Sequence, residues 1–461
     1  MKSASQPVQS KSLTVYTLIF GLFLGLCIWK FGEPVILDHK ISPPETASDF
    51  FNDAWPPHWA SFILPPLVFL GVLLALRGRL PAFPSKWLWI LPLVWIGWQC
   101  VSLSQTPYPD LAVPSVWQYG GCVACYFLGA WLFARPKLFQ WLLIGLLLAF
   151  TYCLVRAANQ RLFEFPVDYQ QLVAGEQCGW TNFPPPSVDE MKSQGIIINT
   201  NGMDMANPII LAKFQKGRVS GTLVYPNALA ELILLLWPVS LVLAFGATTQ
   251  LKPFIRWAAI VMTVGLGGIV FIWTGSKLGW LIAVALAGLI LLRPAWPKKL
   301  KFAAVALVLV LGLGVFGIRF HHYFATGATS ASARFDYWRA AVQITGARPA
   351  FGTGPGTFQR SYAMIKSPDA EMARLTHNDF LEQFCDSGIV GGVAYAGWVV
   401  MALAFVGRRL WRSHDGFSFA VFLGILGWYI QGLGEFGLFV PALAWTAFTL
   451  LGGLVGKNPP E

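Results

Sequence analysis

The stretch RLTHNDFLEQFCDSGIVGG, residues 374–392, puts His377, Asp379, Glu382 and Asp386 within ten residues and runs straight into an apolar segment. Histidine is the side chain that exchanges a proton most readily near neutral pH. Thr376 and Asp379 fit a capping box, Thr-x-x-Asp, ahead of an apolar run. With Thr376 as the N-cap, His377 is the first helical residue, among the unpaired amides of the positive helix end. That field disfavours an imidazolium and leaves a ring able to accept a proton. The same amides attract phosphate. Asp379, Glu382 and Asp386, spaced three and four apart, share one face, and Leu381, Phe384 and Cys385 point toward the core. The stretch therefore predicts a proton acceptor, an anion-friendly helix start and an acidic stripe at the lipid–water boundary. A plainer reading stays open: a surface histidine beside a solvated acidic face that pairs with Arg334 or Arg339.

Cations stand at three other segment ends. In KGRVSGTLVYPNALAELILL, Arg218 precedes an apolar span, Pro226 and Asn227 sit in its first turns, and Glu231 lies deeper. An acid inside a membrane helix costs about 2.5 kcal/mol or more, so Glu231 is expected to face the bundle interior. Arg218 is either an anion ligand or an interface cation reaching up to water. In WTGSKLGW, residues 273–280, Thr274 and Ser276 can cap the next helix. Lys277 then falls in its first turn, where the dipole disfavours a cation. Either a bound anion compensates or the ammonium reaches water. SARFDYWRAAVQIT sets Phe335, Trp338, Ala341 and Val342 at helical spacing, with Arg334 and Arg339 on other faces. It predicts an amphipathic helix lying on the outer surface. RPAFGTGPGTF, 348–358, lacks the Gly-Lys-Ser/Thr of a nucleotide loop and has no strand before it, which excludes nucleotide binding. Its glycines predict a tight turn or an anion-binding nest.

The elements that position these groups are membrane spans. Of 461 residues, 55% are hydrophobic and 12% charged, with 21 Trp and 35 Phe, and the mean hydropathy is +0.56. Soluble domains carry about 25% charged residues. Twelve apolar segments are long enough to cross a hydrocarbon core of about 30 Å. They lie near 13–30, 60–77, 87–104, 118–134, 138–156, 223–247, 254–273, 277–293, 301–319, 388–407, 416–436 and 438–455. The expected fold is an all-α polytopic membrane protein of about twelve transmembrane helices, with a large outside loop containing amphipathic helices. It divides into spans one to five (1–156), a first outside loop (157–222), spans six to nine (223–319), a second outside loop (320–387) and spans ten to twelve (388–461). The first span, flanked by Lys2 and Lys11 and without a small-residue cleavage site, reads as a retained anchor.

The net charge of +11 would fit nucleic acid by its total, but its placement is a topology signal. With the N-terminus in the cytoplasm, the inside loops collect Lys2 and Lys11; Arg77, Arg79 and Lys86; Arg135 and Lys137; Lys252 and Arg256; Arg293, Lys298, Lys299 and Lys301; Arg408, Arg409 and Arg412; and Lys457. That is the positive-inside rule. It puts both termini in the cytoplasm and both long loops outside, and it leaves no role for nucleic acid. Cys122 and Cys125 form a Cys-x-x-Cys inside an apolar helix, which reads as packing. Cys178 and Cys385 fall in the two outside loops, where a disulfide between them is open.

RVSGTLVYPN, TGSKLG, ARFDYWRAAVQITGARPAFGTGPGTF and THNDFLEQFCDSGIVGG, in that order, resemble the O-antigen ligase and polymerase superfamily of bacterial envelope enzymes, from about residue 210 to 410. The most specific piece is the His377–Asn378 pair followed by an acidic helix and Gly-x-x-Gly. The resemblance implies a metal-independent, inverting glycosyltransferase of the inner membrane that needs no cofactor. Its donor is a glycan on undecaprenyl pyrophosphate, presented on the periplasmic side. Its acceptor is a hydroxyl of lipid A core, another glycan or a protein, so ligase, polymerase and protein glycosyltransferase remain open. It implies catalysis by His377 and substrate binding by Arg218, Lys277, Arg334 and Asn378, with Glu382 and Asp386 in support; spacing leaves open that one of these two acids is the base instead. Lys277 stands where the family has Arg, which keeps the charge and loses the planar fork. A transporter for the same lipid is the alternative of another class. Polar groups gathered on one side and unrelated halves argue against it.

Overall fold

The computed structural model describes residues 11–77, 83–200, 202–247 and 252–457. Lys2 and Arg79 lie outside the described residues. The molecule is 77% helical. Among the described residues the one sheet is the antiparallel hairpin Ile197–Thr200 and Met203–Ala206, with Ile197 opposite Ala206. Each of the twelve apolar segments coincides with helix. Among the described residues, seven helices are long and apolar enough to cross a membrane, and Trp87–Leu103, Lys277–Leu292, Gly416–Gln431 and Pro441–Gly456 are shorter apolar helices. The segment near 118–134 lies in Pro109–Leu128 and the π-helical turn Gly129–Phe133 that follows it. The chain is a multi-pass membrane protein.

Proline at the first helical position, as in Pro57, Pro109, Pro253 and Pro441, starts several of these helices, because its missing N–H is unpaired there anyway. The helix Pro441–Gly456 is the hub, buried at every residue from Pro441 to Val455. Lys298–Ala325 is the opposite case, with Phe320 its one buried residue; its apolar sides face outward, as a lipid-facing helix requires. Between Lys11–Lys30 and Pro136–Asn159, glycine lets two backbones touch: a Cβ at Gly21 would strike the carbonyl of Leu142. Membrane helices pack through such small-residue contacts.

The segment expected at 138–156 belongs to a longer helical path. Pro136–Asn159 continues through the π-helical turn Gln160–Glu164 into Phe165–Gln177. With the hairpin and Pro208–Lys216, the end of that path closes a small lobe around Leu172, Trp180, Ile197 and Ala206. The amphipathic helix is present as Thr329–Ala347, but its buried face is Tyr337, Ala340, Ala341 and Ile344. Of the apolar residues at helical spacing, Phe335 and Val342 are 59% and 62% exposed. The helix is covered from the side by Phe358, Tyr362 and Cys385, which selects the Tyr337–Ala341–Ile344 row.

Backbone hydrogen bonds draw the loops at one end of the bundle together. Val224 N donates to Gly32 O at 3.1 Å, Val219 N to Trp273 O at 3.3 Å and Asp379 N to Gly432 O at 2.7 Å. The segments around Arg218, Lys277 and His377 are thereby brought to one place.

Candidate functional site

The cap of the Asp379–Trp411 helix is two residues later than the sequence predicts. Asn378, not Thr376, is the N-cap: its Oδ1 accepts from Phe380 N and Leu381 N, both at 3.0 Å. Asparagine outranks threonine at this position. Its Nδ2 donates to Leu433 O at 3.0 Å, which anchors the helix start to the turn after Gln431. His377 therefore precedes the helix. Its backbone is left-handed, with φ of 52°, a conformation that costs a non-glycine residue on the order of 1 kcal/mol and recurs at functional sites. The helix field expected to act on its ring is replaced by a specific partner.

That partner is Glu435. It was expected inside a span ending near residue 436, but the helix stops at Gln431 and Glu435 lies in the turn beyond. The side chain is 1% exposed and gathers four others. Oε2 faces His377 Nδ1 at 3.4 Å and accepts from Tyr225 Oη at 2.8 Å. Oε1 accepts from Asn227 Nδ2 at 2.6 Å and forms an ion pair with Arg334. Burial pushes the Glu435 carboxyl up, but the His377 hydrogen bond, the Arg334 charge and the Tyr225 hydroxyl outweigh it and hold the carboxyl below the ordinary glutamate range. An ionised Glu435 sets Nδ1–H toward itself and leaves Nε2 of His377 as the proton-accepting atom. The imidazole is wedged between Tyr337, centroids 6.0 Å apart, and the edge of Phe436 at 4.9 Å, yet its side chain stays 29% exposed.

The cations close around this carboxylate. Arg218 donates through Nε to Thr274 O at 2.7 Å and through Nη2 to Asn227 Oδ1 at 2.8 Å, so Asn227 links it to Glu435. Its bond to Thr274 also fixes it on the turn that carries Lys277. Ser276 caps that helix, accepting from Gly279 N at 3.2 Å, and Lys277 is its first residue. Aromatic rings answer part of the dipole conflict: the Lys277 ammonium sits 3.9 Å from the centroid of Tyr323 and 5.5 Å from that of Phe320. Arg218, Lys277 and Arg334 are all half-buried. Arg334 and Arg218 at this carboxylate, with Lys277 beside them, leave a net positive, partly open mouth.

The acidic stripe is not at the boundary with water. Asp379, Glu382 and Asp386 are 2%, 1% and 0% exposed, because polar side chains on a membrane helix turn toward protein rather than lipid. Glu382 accepts from Thr376 N at 2.6 Å, the residue before His377. Asp379 accepts from Leu438 N at 3.2 Å. Asp386 accepts from Tyr119 Oη and Gly356 N, both at 2.9 Å. The glycine run forms a nest whose amides are already engaged: Thr353 N and Gly354 N donate to the carbonyls of Cys385 and Asp386. Gly352 and Gly354, at φ of 65° and 109°, fit a bend no side chain would share. Leu381 and Phe384, expected toward the core, are half-buried. Arg339 is exposed and pairs with Asp336 rather than with the stripe.

Glu231 is fully buried, and neither carboxyl oxygen has a hydrogen-bond partner among the described residues; it lies against Gly437, in the turn that follows Glu435. Cys178 is exposed and Cys385 buried, both as free thiols, with Cys385 Sγ against Ala341 O at 3.4 Å.

A multi-pass helical bundle with a cationic, histidine-bearing mouth at one end is the class of molecule that fold and site define. Residues 262–396 match the family model described as O-antigen ligase, which bears out the resemblance to the O-antigen ligase superfamily. Members of that family are glycosyltransferase-type enzymes, ligases or polymerases. The matched stretch holds Lys277, Arg334, His377, Asn378, Glu382 and Asp386; Arg218, Asn227 and Glu435 lie outside it. No curated protein matches the chain.

Sequence reasoning named His377 and the three cations and missed Glu435, Tyr225 and Phe436. One signal was present. Glu435 is a lone acid near the end of the apolar segment at 416–436, in GLGEFG, and the argument that turned Glu231 inward applies to it equally.

Proposed function

We propose that the chain transfers a glycan from undecaprenyl pyrophosphate to an acceptor hydroxyl, lipid A core or a similar glycan, at the periplasmic face of the bacterial inner membrane. The observation that carries this reading is the half-exposed His377 held on the ionised Glu435 inside the ring of Arg334, Arg218 and Lys277. In this account both termini are cytoplasmic and the chain crosses the membrane about twelve times. The loops at 157–222 and 320–387 are periplasmic and carry Arg218, Arg334 and His377, and the turns with Lys277 and Glu435 meet them there.

Arg218, Lys277 and Arg334 hold the donor's diphosphate and stabilise the charge that builds on it as the sugar leaves. The acceptor oxygen attacks the anomeric carbon from the face opposite the diphosphate. The carbon–oxygen bond to the diphosphate breaks, and the hydroxyl proton passes to Nε2 of His377. One displacement inverts the anomeric centre. Glu435 keeps the ring in the accepting tautomer and stabilises the imidazolium that forms. Asn378 and Glu382 fix the turn on which His377 stands. Asp386 acts farther off, through the glycine nest. Diphosphate is already a good leaving group, so no metal enters the account.

The test is reconstitution of the purified protein with a lipid-diphosphate oligosaccharide and lipid A core, without metal, with products resolved on a gel. A single-step shift of the core band means ligase, and a ladder on the carrier means polymerase. Carrier moved across the bilayer with no new glycosidic bond overturns the proposal in favour of transport.

A further inference from the structure

The opposite end of the bundle holds a feature the transfer reaction does not use. A cavity of about 780 Å³ opens between the helices Pro226–Ala247, Lys277–Leu292 and Gly416–Gln431. Its walls are apolar, with Trp237, Leu241, Phe245 and Leu286 among them. Its rim carries Arg293, Arg412 and His414. Arg293 is fixed in that rim: it donates to the carbonyls of Leu410 and Ser413 and stacks 4.1 Å over Phe419. Arg412 and His414 are exposed, and neither side chain has a hydrogen-bond partner among the described residues. The nearby acid, Asp415, is matched by Lys457 at 2.6 Å and by Ser418.

Depth and charge together define the occupant. The wall from Ile233 to Phe245 rises about 18 Å at 1.5 Å per residue, close to one leaflet of a hydrocarbon core of about 30 Å. The rim lies at the end where Lys298, Lys299, Lys301, Arg408 and Arg409 gather. Basic pockets between membrane helices on that side suit anionic headgroups. Asn227 and Glu231, toward the other end of the same helix, belong to the His377 end, so this groove and the proposed transfer site occupy opposite leaflets.

We propose that this groove binds one anionic diacyl phospholipid. Its acyl chains lie along Trp237, Leu241 and Phe245, and its phosphate meets Arg412 and His414. The site is independent of the transfer reaction.

Native mass spectrometry of the full chain in detergent, titrated with phosphatidylglycerol or phosphatidylcholine, tests it. The expected result is a one-to-one phosphatidylglycerol adduct favoured over phosphatidylcholine by about fivefold or more, the contribution of one interfacial cation. Arg412→Gln with His414→Gln removes the preference, and Ala287→Phe, which fills the groove, removes the adduct. Equal binding of the two lipids, or an adduct indifferent to both variants, overturns the proposal. Binding of inorganic phosphate alone overturns the role of the acyl chains. Displacement of phosphatidylglycerol by undecaprenyl diphosphate at equal concentration assigns the groove to the carrier and overturns it as well. None of these readouts depends on glycan transfer.

Discussion

Two sets of acids flank the same turn and have different partners. Asp379, Glu382 and Asp386 are packed in against Leu438 N, Thr376 N, Tyr119 and Gly356 N, with Glu382 Oε1 left without a partner among the described residues. Glu435 is equally buried, but its partners are the ionisable His377 and Arg334, both partly open to the outside. Burial alone does not separate a structural carboxylate from a functional one. What separates them is whether the partner still has a free valence toward a ligand. A carboxylate that spends its lone pairs on backbone amides holds a fold. One that spends them on a histidine and an arginine sets their protons and charge.

The comparison breaks most sharply at His377. His377→Ala is expected to lower transfer at least tenfold, and a positioned base typically supplies about 10²–10⁴-fold. His377→Asn tolerates the left-handed backbone and should lose the same activity while inserting and unfolding like the parent. Glu435→Gln keeps shape and loses charge. It should cut kcat by about tenfold to a hundredfold, less than loss of the base itself, with the donor KM less affected. Lys277→Arg sharpens the account from the other direction. Restoring the planar fork should lower the donor KM severalfold and leave kcat near its starting value.

Asp386→Asn belongs to the other set. It should lower stability by about 1–3 kcal/mol through the Tyr119 and Gly356 contacts, read as an earlier thermal unfolding midpoint, while turnover per folded molecule stays within a few-fold. A large loss of kcat in a fully folded Asp386→Asn protein would erase the distinction between the two sets. The smallest effect is on acid stability. The Glu435 carboxyl lies below its ordinary range, so its pairs contribute stability above that range and lose it as pH falls through the lowered value. The unfolding midpoints of the parent and Glu435→Gln should therefore converge on acidification.

Most of the helical architecture was legible because lipid imposes long apolar segments, and each one found its helix. The cations were legible because a charge at the mouth of an apolar span needs a reason. The lie of the Thr329–Ala347 helix was not. Phe335 and Val342 are apolar, and in a membrane protein the outer face is as apolar as the core, so hydrophobicity no longer tells inside from outside. The polar stripe misled for the same reason, since beside lipid the acids are what face inward. The start of the histidine helix turned on a competition between Thr376 and Asn378 that local pattern does not decide. Glu435 was hidden because its contact is long-range: 58 residues separate it from His377, and the turn that carries it is tied to the histidine helix by the bond from Asp379 N to Gly432 O.

The central claim is that His377, set by Glu435, takes the acceptor's proton. The most direct measurement is single-turnover transfer in proteoliposomes by the parent, His377→Ala and Glu382→Gln, each normalised to folded protein, with lipid-diphosphate oligosaccharide in excess. The account predicts that His377→Ala falls at least tenfold with donor binding retained, and that Glu382→Gln falls far less, in line with its structural tie to Thr376. Near-parental turnover in His377→Ala, or a larger loss in Glu382→Gln than in His377→Ala, would contradict it.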